Sequence, residues 1–548
     1  MKITVGQFNV KSKAVKHNFL QMQKQIILAK DQGYDLIVFG EYAMTGYACG
    51  DLFKNFDFIK EVEDYQNQIK DLAKGIKVIF GGLVLQKNHL YNAAILYSED
   101  KVHYSFKSNL NKREFSEQDY FISGDNKVVS VKQKNLLLTF SSDLKTLSDQ
   151  DYDLLVVLDS SAANNLSKVD VVQDVVYANT VGVSGVCKVV WINGGNSYLK
   201  QNNQYYTFKD PLAVGIIEDK GQIQSISKLQ ALAYGIKIWS DQTFGENKKW
   251  IVGSSGGLDS AVTTALLAIA LGSENVITYN LASKYNKEIT INNAKSIASK
   301  LKVRHLEGSI QSLVDQAFTT LNNFGYSEIS EFNQENIQAR TRGHLLSAFS
   351  ALEDGVISNN GNKLEITLGY ATLYGDTIGA LSLIGDLNKV EVFELAFEIN
   401  NYFDQEIIPK NLLPQIKDYN IVWEIAPSAE LKADQLDPMK WFYHDLLLDM
   451  LLLKSYEEIL AIYLENQFAD LEIGKWLKFY DLEIGENFMS DFNWFTKTMQ
   501  INHFKRLQMP PVLAFGNHVL GQDYKESPNL LPKSKQFLHL EAEIIKKY

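Results

Sequence analysis

Proline is missing from the first 210 residues of this 548-residue chain; all nine prolines lie at or beyond Pro211. Cysteine is almost absent. Cys49 and Cys187 are the only two, which excludes a disulfide framework and a cysteine-ligated zinc site. No run of about 18 apolar residues occurs, and MKITVGQFNV lacks the basic-then-apolar order of a signal peptide, so a membrane span is not expected. Positive charge is in deficit as well. A net charge of −11 and a pI near 5.5 argue against a nucleic-acid binder, although an acidic protein can still hold a nucleotide in a locally basic pocket. What remains is ordinary for a globular protein, with 45% apolar and 22% charged residues. The length allows two or more domains. The expectation is a reduced, cytoplasmic enzyme.

The most informative stretch is Trp250 to Leu267, WIVGSSGGLDSAVTTALL. It reads as a short strand over Trp250 to Val252, a turn of small residues, and a helix opening near Asp259. Gly253, Ser254, Ser255, Gly256 and Gly257 remove bulk where the chain turns and leave backbone N–H groups exposed. With the positive end of the following helix they make an anion site suited to phosphate. A kinase-type loop would place a lysine after the glycines; here Asp259 follows. A carboxylate beside phosphate calls for a cation between them, and Mg²⁺ suits.

Around this stretch the chain divides near residue 218. In residues 1–218, strands are expected at Lys2 to Val10, Asp35 to Phe39, Val78 to Val84, Ala93 to Tyr97 and Val102 to Phe106. Others are expected at Asn135 to Phe140, Leu154 to Leu158 and Val189 to Ile192. Helices are expected at Lys16 to Gln32 and near Val169 to Thr180, giving an α/β layered sandwich. The segment Glu218 to Ser225 is polar and glycine-containing, a plausible boundary. In residues 219–548, Leu229 to Ser240 and Glu288 to Leu301 read as helices. Val276 to Leu281, Val303 to Leu306 and Lys363 to Leu368 read as strands. That alternation predicts a doubly wound parallel sheet with ligands beyond the strands' carboxyl ends.

Ser255 to Ser260 resembles the SGGxDS signature of the ATP pyrophosphatases. Four further segments, ENIQARTRG, GNKLEITLGYATLYGD, APSAEL with Gln435 and Asp437, and FKRLQMPP, occur in the order seen in glutamine-dependent NAD synthetases. The first half resembles the nitrilase-type amidase domain of the same family, through IVFGEYAMTGYACGDLF, LYNAAILYSEDKVHYSFKSNL and FSEQDYFISGD. The resemblance implies an αββα nitrilase-like sandwich followed by a Rossmann-like synthetase domain. It also implies ATP-dependent amidation of deamido-NAD to NAD⁺, with release of AMP and pyrophosphate. Carried over by position, Ser255, Gly256, Gly257, Asp259 and Ser260 bind ATP, and Asp259 with Glu365 holds Mg²⁺. Lys389 contacts phosphate and Asp376 stands near the chemistry. Arg340, Arg342, Tyr370, Thr372, Lys505 and Arg506 border the dinucleotide. GMP-synthetase-type pyrophosphatases share the turn and explain none of the later segments.

In the amidase half the resemblance puts Glu41 and Lys107 on the family's acid and lysine, and Glu117 on a further acidic position. Ser141 stands where the nucleophilic cysteine belongs, in NLLLTFSSD. A serine hydroxyl is far less acidic than a thiol and needs a histidine relay, and no histidine is near in sequence. Neither Cys49 nor Cys187 follows the right strand. Gly40 and Asn111 replace family prolines, within the proline-free stretch. The loop ASKYNKE, the segment Met439 to Asp445 and the tail after Gly521 also depart from the pattern. The expectation is therefore free ammonia as the nitrogen source. Alternatives are a separate amidase partner or a non-catalytic ATP or dinucleotide sensor. A homo-oligomer is expected from the family.

Overall fold

The computed structural model describes residues 1–98, 101–111, 115–131, 133–147, 150–164, 168–186, 188–417, 420–428, 430–432, 437–516, 518–520 and 532–548. Cys187, Gln435 and residues 521–531 of the tail lie outside the described residues. The chain forms two compact units, Met1–Gln242 and Thr243–Tyr548.

The first unit is built on two six-stranded sheets. One runs Gly215–Ile216, Ile3–Gln7, Leu36–Val38, Lys77–Gln86, His89–Ser98 and Lys101–Phe106 in spatial order. The other runs Gln204–Thr207, Tyr198–Gln201, Asp174–Ala178, Leu154–Leu158, Lys134–Phe140 and Lys127–Val131. Alternation along the strands puts Val5, Leu36, Val38 and Ile79 against Leu136, Leu138, Val156 and Val176 in the layer between the sheets. On the outer face of the first sheet, Phe19, Met22 and Ile26 of helix Val15–Asp31 and Val62 and Ile69 of helix Phe56–Leu72 cover Ile37, Val78, Phe80 and Ile95. This is the nitrilase-type layered sandwich.

One expected helix is a strand. Asp174–Ala178, read from sequence as part of a helix near Val169 to Thr180, pairs parallel with Leu154–Leu158 from Asp174↔Leu154 to Ala178↔Leu158. Its Val175, Val176 and Tyr177 are buried on both faces, a setting that favours β-branched and aromatic residues over local helical spacing.

The second unit contains the expected doubly wound sheet. Its strands lie in the order Arg304–Ser309, Val276–Ala282, Lys249–Gly253, Gly355–Asn359, Leu381–Ser382 and Val512–Ala514, each paired parallel with its neighbour. From Lys249–Gly253 the chain first adds Val276–Ala282 and Arg304–Ser309 on one side, then returns to lay Gly355–Asn359 on the other. The reversal opens a crevice beyond the carboxyl ends of Lys249–Gly253 and Gly355–Asn359, where ligands of this fold bind.

Lys363–Leu368, expected as a strand, is a helix. Asn362 accepts from Glu365 N at 3.0 Å while the Glu365 carboxylate accepts from Asn362 N at 3.3 Å, a reciprocal cap. Gly369, with φ of +60°, ends the helix in the left-handed conformation. The sheet position goes instead to Gly355–Asn359. Among the described residues no helix is long and apolar enough to cross a membrane.

Candidate active site

The glycine turn sits at that crevice. Strand Lys249–Gly253 ends in Ser254, whose N–H donates to Tyr279 O at 2.9 Å and whose carbonyl accepts from Asn280 Nδ2 at 2.8 Å. Helix Leu258–Leu271 then starts from Gly257, so its first N–H groups meet no capping side chain. Ser255 and Ser260 bring their hydroxyls within 3.1 Å of each other across the turn. Uncapped N–H groups, hydroxyls and a helix N-terminus are together the kind of donor set that favours an anion such as phosphate.

Gly256 is what allows the turn. Its φ is +81°, and a Cβ there would stand 1.8 Å from Thr290 O. Gly256→Ala is expected to destabilise the protein by about 3 kcal/mol or more, through strain and overpacking. It is also expected to abolish the rise in melting temperature produced by Mg–ATP. A variant that melts like the parent and keeps that rise would contradict this role.

Three residues singled out from sequence converge beside the turn. The Lys389 ammonium donates to Asp259 Oδ2 at 2.6 Å, and Asn362 Nδ2 donates to the other Asp259 oxygen at 3.3 Å. Lys389 opens helix Lys389–Phe403, behind the Asn388–Glu391 cap, and is buried. Its backbone N–H donates to Asp445 Oδ1 at 2.9 Å, and its ammonium lies 4.9 Å from the centre of the Trp441 ring. Burial works against its charge, but Asp259 and Glu365 outweigh that and hold the ammonium above its ordinary range. The Glu365 carboxyl is pushed up to about 8, first by burial and then by the charge of Asp259. Asp437 adds to the same negative field, acting on both Glu365 and Lys389. Carboxylates thus outnumber the one ammonium among them, and they offer the hard oxygen donors that suit Mg²⁺.

The remaining residues form a second group. The Arg342 guanidinium donates to Leu281 O and to Asn286 Oδ1, each at 3.0 Å. Arg340 is exposed and donates to Leu373 O at 3.2 Å. Both arginines lie within helix Glu331–Leu352. Asp376 accepts from Thr372 N at 2.5 Å, and its charge reaches Lys505 and Arg342. The Thr372 hydroxyl donates to Asn336 Oδ1 at 2.8 Å. Tyr370 comes after Gly369, which ends helix Lys363–Leu368, and is half-buried. Lys505 donates to Gly369 O and Ala371 O, each at 2.8 Å. Arg506 turns inward, donating to Thr367 O and Met499 O, so in this conformation it braces the backbone.

In the first unit, Glu41, Lys107 and Glu117 are buried together. The Lys107 ammonium donates to Glu41 Oε1 at 2.8 Å and lies 2.9 Å from Glu117 Oε2. Asn92 Nδ2 donates to Glu41 Oε1 at 2.6 Å, Asn111 N to Glu117 Oε2 at 2.6 Å, and Tyr42 OH to Glu117. Burial pushes the Glu41 carboxyl up to about 7, against the pull of Lys107. Ser141 begins the turn after strand Lys134–Phe140, and its hydroxyl donates to Asp159 Oδ1 at 2.6 Å. Cys49 is buried, its thiol bonded to Thr45 O and Gly46 O and pushed up to about 12 by burial.

Sequence reasoning missed Asp159, Asn92 and Asn362 as members of these clusters. The N-x-x-E spacing of Asn362 and Glu365 was a readable cap signal. Nothing local marks Asp159.

These features define a nitrilase-fold unit followed in the chain by a nucleotide-loop α/β unit with a lysine–carboxylate centre. A family model described as NAD synthase matches residues 240–473, and one described as carbon-nitrogen hydrolase matches residues 2–142. The glutamine-dependent NAD(+) synthetase of Acinetobacter baylyi is 28% identical over 543 residues, covering 92% of this chain and 94% of its own. The NH(3)-dependent NAD(+) synthetase of Chlorobium phaeovibrioides is 32% identical over 277 residues, covering 50% of this chain and 85% of that one. The crystal structure of a glutamine-dependent NAD(+) synthetase from Cytophaga hutchinsonii has the same fold, with a TM-score of 0.76 at 15% identity and 99% of both chains covered. The chain belongs to the NAD synthase family.

Proposed function

We propose that this chain amidates deamido-NAD to NAD⁺ at the expense of ATP and takes its nitrogen directly from ammonia. The observation that carries the synthetase reading is the junction of Asp259, Glu365 and Lys389 beside the uncapped glycine turn. The turn and the Ser255 and Ser260 hydroxyls bind the ATP phosphates. Mg²⁺ held by Asp259 and Glu365 would supply positive charge against the crowded phosphates. Lys389 offsets the repulsion between the nicotinate carboxylate and the α-phosphate as they approach, and fixed positioning removes the entropy cost of the encounter. A carboxylate oxygen bonds the α-phosphorus as pyrophosphate leaves. Ammonia then bonds the acyl carbon, AMP departs, and a proton passes to Asp376 or to solvent. Arg340, Arg342, Tyr370, Thr372, Lys505 and Arg506 belong to the dinucleotide side of this reading, and a homo-oligomer is part of it.

Ammonia as the direct source is supported by the state of Ser141. Its proton is committed to a buried carboxylate, while the Lys107 ammonium is already shared by Glu41 and Glu117. The test is steady-state NAD⁺ formation from deamido-NAD and Mg–ATP, with ammonium in one reaction and glutamine in the other. Activity with ammonium and at most a few per cent of it with glutamine is expected. Equal rates would overturn the nitrogen assignment. A glutamine rate restored only by adding cell extract would point to a separate amidase partner. ATP binding without pyrophosphate release would point to a sensor.

A further inference from the structure

The pairing of Ser141 with Asp159 carries a consequence for the nitrogen source. Strands Lys134–Phe140 and Leu154–Leu158 run parallel with Phe140 opposite Leu158, so the residues that follow each strand, 141 and 159, emerge side by side. Asp159 is 2% exposed and its carboxylate collects donors. Ser141 Oγ and Ser160 N reach Oδ1 at 2.6 and 2.8 Å, Ser161 Oγ reaches both oxygens at 2.7 Å, and Tyr177 OH donates to Oδ2. Its backbone is pinned too, with Asp159 N donating to Ala178 O at 2.8 Å and Asp159 O accepting from Glu41 N at 3.0 Å. The carboxylate therefore cannot swing away from position 141 without abandoning several partners.

We propose that Asp159 is a specificity-determining residue: it engages any hydroxyl or thiol at position 141 as a hydrogen-bond donor and denies that group the anionic form that attack on an amide requires. The loss of glutamine use is then fixed at two positions, 141 and 159, and restoring a cysteine at 141 alone does not reverse it. This rests on the reading that residue 141 occupies the place of the amidase nucleophile. The physics is that of like charges at hydrogen-bond distance. A thiolate at 141 would face a buried carboxylate, which disfavours it, whereas the cation that could favour it, Lys107, already holds Glu41 and Glu117. An asparagine at 159 removes the charge, keeps the shape and offers an N–H to the thiolate.

The test compares S141C with S141C/D159N in the full-length chain. Iodoacetamide is the probe, and alkylation of the introduced thiol is followed by mass spectrometry as a function of pH. Ser141 is partly exposed, so the reagent reaches the position. Melting curves and ammonium-driven activity of the same preparations report folding, and S141C/D159A gives a second pair if the asparagine variant melts early. We expect the double variant to react at least tenfold faster at pH 7, with its rate midpoint at least one pH unit lower. Equal rates in the two variants, fast or slow, or a faster single variant, would overturn the assignment. The two readings fail separately. Glutamine-driven NAD⁺ formation by the native chain would sink the ammonia reading, while equal thiol rates would sink only the role of Asp159.

Discussion

Lys389→Met is expected to lower ammonium-driven NAD⁺ formation by about 10³-fold, the scale on which a preorganised group aimed at developing charge contributes in a water-poor site. The expectation follows from where the ammonium sits. It is buried, bonded to Asp259 at 2.6 Å, and placed at the head of a helix whose first turn is held by Asp445. Methionine fills a similar volume without charge, so packing against Trp441 survives and the loss is electrostatic. Asp259 and Glu365 lose their one ammonium, which strengthens the demand for Mg²⁺ at that point. The variant should therefore still show a Mg–ATP-dependent rise in melting temperature while its single-turnover rate collapses. Arginine is not expected to rescue it, because a buried pocket shaped to one ammonium has no room for a guanidinium fork. A rate within tenfold of the parent in Lys389→Met would remove Lys389 from the chemistry.

The turn beside that centre was legible in the sequence because it is local, whereas Glu365 and Lys389, far from Asp259 along the chain, were singled out only through the family resemblance. The turn SSGGLDS announces itself by composition, and the expected strand over Trp250 to Val252 and helix from near Asp259 differ by a residue from Lys249–Gly253 and Leu258–Leu271. Helix Glu288–Leu301 and the buried strand Leu154–Leu158 read equally well, since an amphipathic stripe and a short apolar run are strong periodic signals. Two elements were misread for opposite reasons. In KLEITL the β-branched residues suggest a strand, but the Asn362–Glu365 cap and Gly369 close a short helix at both ends. In DVVYA, the helix expected near Val169 to Thr180 gives way to pairing with a strand 20 positions earlier, from Asp174↔Leu154 onward. Asp159 was invisible for a related reason. Its partners Ser141 and Tyr177 are brought to it by strand register, and no spacing along the chain records that.

The buried cluster around Lys107 makes a prediction about stability. Glu41 has its carboxyl pushed from the ordinary carboxylate range to about 7 by burial, with Lys107 pulling the other way. A group whose folded value lies above its unfolded value favours the folded state below the unfolded value, and that contribution is lost as pH rises through the folded one. Stability of the parent should therefore fall between about pH 4.5 and pH 7, by at most about 1.4 kcal/mol per pH unit from this group. Glu41→Gln cannot ionise, and it leaves Lys107 paired one-to-one with Glu117 at 2.9 Å. The variant should be flatter across that window and more stable than the parent above pH 7, by about 2–3 kcal/mol. Urea-unfolding midpoints of the nitrilase-fold unit at pH 5, 7 and 8.5, compared between parent and variant, read this directly. Curves that stay parallel across the three values would mean that Glu41 is ionised in the folded protein throughout. Lys107 would then be holding two full negative charges, and the cluster would be a stabilising ion network.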